Sequence, residues 1–447
     1  MNCKYCGAEI PENSKFCLSC GKATDDSAVE AAEKKSVKMV SLRLVLAIVA
    51  VVVLAAALVT VLLLSSADNG TKPTTPTVTE APATIPSDGN PDNETCKGSY
   101  TVTNDALVSQ LNTVVATMGD VKLNNGMLQV YYWNQVYDFL NYVGGYAAYF
   151  GLDYTKPLDT QIYEETKTTW QQYFLKEALN SWHQFAALAE TAKAQNVQLP
   201  ADMQKALDEF ETNLETEAKE KKYASAAAYL EEVVGPGVTV ENYKEFLRQN
   251  YLAFTYLEQM AENKDVTTDE INAYYAEHEK DYKTQKESKS LVYHVRHILL
   301  FPGGTEKKEY TEADWTKGLA DAEAMLQQWR DGEATEESFA ELAKKHSGDS
   351  NAADGGLYEA LTSGTNFVKE FKDWYLDENR QVGDTGIVKT TYGYHLMYFS
   401  GMEEEWVYNI RNQILKDYQD ELVKLSVDKH PAQITYSNVV LGTLNLK

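Results

Sequence analysis

The chain has 447 residues, 44% of them hydrophobic, which gives room for two or three packed domains and excludes a disordered chain. A formal charge of −25 excludes a partner held through phosphate contacts, nucleic acid in particular, because an acidic surface repels polyanions. Four of the five cysteines lie within the first twenty residues, so disulfides do not staple the remainder and its stability must come from packing.

In chain order, the first element is a cysteine quartet. Cys3-x2-Cys6 and Cys17-x2-Cys20, each pair followed by glycine, have the spacing of two knuckles that close one tetrahedral Cys₄ zinc site, a structural zinc ribbon over residues 1–22. Four thiolates leave no open position on the metal, so this zinc has no catalytic role. A redox or disulfide use of the same cysteines is the competing reading. Residues 23–43 form a basic linker with Lys34, Lys35, Lys38 and Arg43, and 44–64 is a run of 21 residues without a charge. As a helix that run spans about 31 Å, enough to cross a hydrocarbon core of roughly 30 Å. The cations before it place the N-terminus in the cytoplasm by the positive-inside bias, and everything after residue 65 outside. A cleaved leader ending near Ser65-Ser66-Ala67 is the alternative, and the length of the apolar run favours a retained anchor. Residues 65–98, rich in Thr, Pro, Ser, Asp and Asn, read as a disordered stalk.

From 99 to 290 the periodicity is helical. Trp170, Phe174, Ala178, Trp182, Phe185 and Leu188 define one amphipathic helix, and Met203, Leu207, Phe210 and Leu214 a second. Gly235-Pro236-Gly237 breaks before a third with Tyr243, Leu247, Phe254 and Leu257, and Thr267-Thr268-Asp269-Glu270 is a capping box that opens a fourth. From 291 to 402 the texture becomes α+β, with strand-like runs LVYHVRHILLF, TGIVKT and YGYHLMYF around helices near 311–330 and 336–345. Residues 403–447 begin as a helix and end in ITYSNVVLGTL, a run that suits a strand returning to the helical domain.

In the first strand, alternation places His297 inward with Val295 and Leu299, and His294 outward with Arg296; in the last, it groups His395 with Met397 and Phe399. Read from pattern alone, two strand histidines stand open between core positions and a site, core being the commoner use.

The run from 292 to 399 resembles the parvulin (PpiC-like) family of prolyl isomerases. The resemblance is carried by Arg296-His297-Ile298-Leu299-Leu300, by Phe339 to Ser350 (FAELAKKHSGDS), by Gly355-Gly356, by Gly383-Asp384-Thr385-Gly386-Ile387-Val388, and by Tyr392-Gly393-Tyr394-His395. It implies catalytic positions at His297, Asp349 and His395, where Asp349 stands at the family's Cys-or-Asp position. It implies substrate-binding positions at Leu357, Phe367, Phe371, Thr390 and Tyr392, and no cofactor for catalysis. Where many relatives read Gly-Gly-Asp-Leu-Gly, this chain has Gly355-Gly356-Leu357-Tyr358-Glu359, so the correspondence there is open by one residue. The loop after Leu300 has only Lys307 and Lys308 as adjacent cations, which points to an unmodified X-Pro bond rather than a phosphorylated one.

The 99–290 segment resembles the chaperone-like helical domains joined to such modules in surface foldases. The expected protein is therefore multidomain: a small zinc ribbon, one transmembrane helix, a mostly α chaperone-like domain and an α+β parvulin domain. It would be a cell-membrane, single-pass prolyl isomerase that acts on unfolded or partly folded extracytoplasmic clients, with homodimerisation left open. A membrane-tethered holdase with a degenerate isomerase domain is the alternative, and a signalling protein with the ribbon as cytoplasmic effector is a third reading.

Overall fold

A computed structural model describes residues 99–307 and 309–443. The cysteine quartet, the basic linker, the apolar run at 44–64 and the stalk lie outside the described residues. Among the described residues no helix is long and apolar enough to cross a membrane. The described chain forms two compact units, 99–263 with 419–443, and 264–418.

The first unit opens with α1 (Asn104–Val108) and the hairpin β1 (Val114–Met118) and β2 (Val121–Asn124), then α2 (Asn125–Val143). A short pair, β3 (Ile162–Tyr163) and β4 (Thr168–Thr169), leads into α3 (Trp170–Ala194). The Thr169 hydroxyl and the Gln172 side chain cap α3 reciprocally, satisfying two amides that no helical carbonyl can reach. Trp170, Phe174, Ala178, Trp182 and Ala186 then bury one stripe against Tyr131, Tyr132, Trp133 and Val136 of α2. After Pro200 come α4 (Ala201–Glu220), α5 (Ala226–Val233) and α6 (Val240–Glu262). The unit is mostly helical, with a small sheet that periodicity alone did not reveal.

In the second unit, α7 (Thr268–Glu277) starts at the Thr267–Glu270 capping box read in the sequence and is followed by α8 (Glu279–Ser288). Next come β5 (Leu291–Leu300), α9 (Glu312–Asp331), α10 (Glu336–His346), β6 (Leu357–Leu361), α11 (Lys369–Tyr375), β7 (Thr385–Lys389), β8 (Tyr394–Glu404) and α12 (Glu405–Lys429). The four strands form an antiparallel sheet in the order β6-β5-β8-β7. On one face Ile298, Tyr394, Leu396 and Tyr398 pack against Ala322, Leu326, Trp329, Phe339 and Ala343 of α9 and α10. On the other, Val295, Met397 and Phe399 pack against Phe371 and Tyr375 of α11.

Because helices cover both faces, the central strand is buried from His294 to Leu299, and the expectation that His294 faces outward is overturned: it is 2% exposed. Its ring accepts the Ala360 amide at 3.4 Å and lies 3.6 Å from the Glu403 carboxylate. Arg296, also buried, pairs with Glu336 at 2.9 Å and donates to the carbonyls of Asp354 and Gly355 at 3.1 and 3.2 Å. That guanidinium holds the turn which starts β6.

The chain then returns to the first unit. β9 (Gln433–Ile434) pairs antiparallel with β1, Ile434 opposite Ala116, and Leu441 bridges Thr101. Two fully buried amides of α2 hold this tail. Asn125 donates to Asn438 O at 2.9 Å and accepts from Val440 N at 3.1 Å; Gln129 donates to Val440 O at 3.0 Å and accepts from Gly442 N at 3.1 Å. Backbone groups of the segment that follows β9 are thus satisfied by side chains.

Gly356 shows how tightly the second unit is built. Its φ is +68°, and a Cβ there would sit 2.0 Å from the His297 carbonyl oxygen, a backbone atom fixed in the ladder. Gly356→Ala should therefore destabilise this unit by about 3 kcal/mol or more. Chemical denaturation that returns a loss below about 1 kcal/mol would contradict this close approach.

Candidate functional site

The ladder between β5 and β8 sets His297 opposite Met397 and Leu299 opposite His395, so the two histidines lie two rungs apart on the same face of the sheet. Their rings stack with centroids 5.3 Å apart and planes 20° from parallel, and their Nδ1 atoms are 3.1 Å apart. Both residues are buried, at 1% and 5% exposure.

Asp349 reaches them from the loop after α10. The loop is pinned to β5 at two points, Leu299 N donating to Ser347 Oγ at 3.1 Å and Gly348 N donating to Leu299 O at 2.8 Å, and Ser347 Oγ also accepts the Asp349 amide at 3.2 Å. Asp349 Oδ2 thereby lies 3.5 Å from His297 Nε2, while Oδ1 accepts the Asn351 amide at 3.1 Å and the Tyr358 hydroxyl at 3.0 Å. On the far side, Thr390 Oγ1 is 2.8 Å from His395 Nε2 and accepts the Tyr392 amide at 3.1 Å.

With His297 accepting at Nδ1, the contacts fix the remaining protons. Thr390 Oγ1 accepts from Tyr392 N–H and donates its own proton to His395 Nε2. His395 then carries its proton on Nδ1 and donates to His297 Nδ1, which leaves the His297 proton on Nε2, 3.5 Å from the Asp349 carboxylate. Burial, followed by repulsion from His297, lowers the His395 pKa to about 3 against a smaller opposing pull from Asp349. Burial alone would push the Asp349 carboxyl up, but His297, the Asn351 amide and the Tyr358 hydroxyl together hold it below the usual carboxylate range. The Tyr358 hydroxyl is raised by burial and then by the Asp349 charge, and so stays a donor.

Three rings bound the polar chain on one side. Phe371 meets His297 and His395 edge-on at 5.2 and 5.4 Å, Phe367 lies 5.0 Å from Phe371, and Tyr358 lies 5.0 Å from Phe367 and 5.2 Å from His297. Phe371 is buried, while Phe367 and Tyr358 are half-exposed.

Of the residues expected from sequence, His297, Asp349, His395, Thr390, Phe367 and Phe371 come together. Leu357 does not join the ring cluster: it pairs with Arg296 and follows that residue's face of the sheet, whereas Tyr358 pairs with Val295 on the face of the site. The side chain of Tyr392 is 60% exposed and only its backbone amide reaches the chain of contacts. Tyr358 was missed in the sequence; the strand alternation of β6, taken together with the one-residue ambiguity after Gly356, was the signal that could have found it. Cys3, Cys6, Cys17 and Cys20 lie outside the described residues. No cysteine follows Cys96, and no activated nucleophile stands among the site residues.

Residues 280–401 match the PPIC-type PPIASE domain, and residues 2–24 match a zinc-ribbon domain. The second unit thus contains a parvulin-type domain. Among curated proteins, foldase protein PrsA of Caldanaerobacter subterraneus subsp. tengcongensis is 28% identical over 206 residues, 43% of this chain and 57% of that protein. Foldase protein PrsA 1 of Listeria monocytogenes serovar 1/2a is 28% identical over 201 residues, 45% of this chain and 56% of the relative. The chain therefore spans somewhat over half the length of the curated relatives it matches. The crystal structure of PrsA from Bacillus subtilis aligns at 19% identity with a TM-score of 0.31, covering 59% of this chain and 87% of that one.

The neutrality of His395 has a pH signature. Below about pH 6.5 an unfolded histidine takes up a proton that folded His395 refuses until about pH 3, so the unfolded state binds more protons and stability falls as pH drops through that window. Asp349, lowered in the folded state, adds a loss of the same sign at still lower pH. NMR should find the His395 ring unprotonated down to about pH 4 while unfolding free energy declines. A His395 titration near pH 6.5 would refute the assignment.

Proposed function

We propose that the chain is a membrane-anchored prolyl cis-trans isomerase that assists the folding of extracytoplasmic proteins. The observation that carries this reading is a buried row of polar side chains, Thr390–His395–His297, with the Asp349 carboxylate 3.5 Å beyond, set against an aromatic clamp of Phe367 and Phe371.

Rotation about an X-Pro amide costs roughly 18–20 kcal/mol because it breaks resonance, and no bond need be cleaved to lower that cost. The clamp holds the proline ring apart from water, while the polar chain favours the twisted amide over either planar isomer. A preference of about 4 kcal/mol gives a thousandfold acceleration. Asp349 holds the His297 proton in place, Thr390 does the same for His395, and neither histidine need gain or lose a proton as the amide turns.

Residues 44–64 serve as the anchor and hold the two described units outside the membrane, where unfolded exported chains are the substrates. The zinc ribbon lies on the cytoplasmic side, with one zinc held by Cys3, Cys6, Cys17 and Cys20 as a structural ion. The spacing and the zinc-ribbon match support that reading.

Full-length chain in detergent should accelerate exchange of X-Pro peptides, and His297→Ala and Phe371→Ala should each lower kcat/KM at least tenfold with the fold intact. A wild-type rate equal to buffer across several residues before proline would replace this reading with that of a tethered holdase. Metal analysis under reducing conditions should return about one zinc per chain; four free thiols without metal would remove the ribbon site.

A further inference from the structure

We propose that Tyr358 is a positioning residue of this site with a second duty: its hydroxyl fixes the Asp349 carboxylate against His297, and its ring is the third wall of the proline clamp. The inference rests on the isomerase reading and extends it to a residue that the family resemblance did not assign.

The first part follows from the count of donors on Asp349. Oδ2 faces His297 Nε2 at 3.5 Å, longer than a tight ion pair, so the carboxylate is not held by the histidine alone. Its other oxygen carries the Asn351 amide at 3.1 Å, the Ser350 hydroxyl at 3.4 Å and the Tyr358 hydroxyl at 3.0 Å. The first two belong to the same turn as Asp349 and move with it; Tyr358 comes from β6 and ties that turn to the sheet. Without the Tyr358 hydroxyl, nothing outside the turn except His297 itself fixes the rotation of the carboxylate. β6 is in turn held rigidly, because its entry at Gly355 and Gly356 is pinned by Arg296 and by the amide of His297, which donates to Gly356 O at 2.8 Å.

The second part follows from ring geometry. His297, Tyr358, Phe367 and Phe371 form a closed cycle in which each ring touches the next at 5.0 to 5.2 Å. Removing Tyr358 opens this cycle between His297 and Phe367. A prolyl ring is an apolar disc with weakly positive C–H edges, so it gains both contact area and quadrupole attraction from aromatic walls. Tyr358 is half-buried, with its hydroxyl on Asp349 and its ring against Phe367 and His297, as a residue that serves both polar chain and clamp requires.

The two duties separate by substitution. In full-length protein in detergent, assayed with an X-Pro tetrapeptide, Tyr358→Phe keeps the ring and removes the donor. It should lower kcat about tenfold, leave KM within about twofold, and move the acid limb of the rate profile to higher pH as Asp349 becomes easier to protonate. Tyr358→Leu should add a rise in KM of several fold. A Tyr358→Phe variant equal to wild type in kcat and pH profile overturns the positioning role, and a Tyr358→Leu variant with unchanged KM overturns the wall. The positioning role also has a readout free of activity: the carboxyl carbon of Asp349, followed by NMR, should titrate at higher pH in Tyr358→Phe than in wild type. If wild-type protein has no isomerase activity but this shift is seen, the isomerase reading fails and the positioning role stands; an unchanged Asp349 titration overturns it whatever the activity.

Discussion

Between His297 Nδ1 and His395 Nδ1 there is room for one proton, and the architecture of the site depends on that constraint. Two imidazolium rings stacked at this distance would place like charges and two N–H groups face to face, so at most one ring can be charged, and burial favours neither. Once the shared proton is assigned to His395, the outer nitrogens are fixed as well: His395 Nε2 must accept, which Thr390 satisfies, and His297 Nε2 must donate, which Asp349 satisfies. The direction of the whole chain is set by one contact. The register of β5 against β8 creates that contact, and the helices on both faces of the sheet make it dry enough to matter.

A site built this way is suited to a reaction in which charge is redistributed rather than transferred. Rotation of a prolyl amide shifts electron density between nitrogen and oxygen without creating a full ion, so a preorganised set of dipoles at low net charge can follow it without reorganising. The ionised Asp349 stands at the edge of this set, one-fifth exposed at its side chain, and its charge is met by the Asn351 amide and the Ser350 and Tyr358 hydroxyls. A nucleophile would add nothing to such a reaction.

Much of this was legible in the sequence, and the reasons differ by element. Helices α3, α4 and α6 carry a clear apolar stripe, and the Thr267 capping box marked α7 to the residue. α2 escaped because Asn125 through Trp133 are buried without interruption, leaving no polar face to give a period. Strands β1 and β2 escaped because they have only five and four residues; the tail run was read as a returning strand, but the hold of Asn125 and Gln129 on Asn438, Val440 and Gly442 beyond β9 is a tertiary arrangement with no local signal. At the site, the histidines and Asp349 were found through the family resemblance, since alternation alone could not separate His297 from His294 in a strand buried on both sides. Leu357 was selected instead of Tyr358 because the sequence departs from its relatives just after a glycine pair, and only the pairing of Tyr358 with Val295 settles which of the two faces inward.

The central claim is that the buried His395 ring stays neutral, so that the stacked pair never carries two charges. ¹⁵N NMR of the imidazoles in the full-length protein at neutral pH tests it most directly. The account predicts a single proton on the His395 ring. An imidazolium at His395 would contradict it.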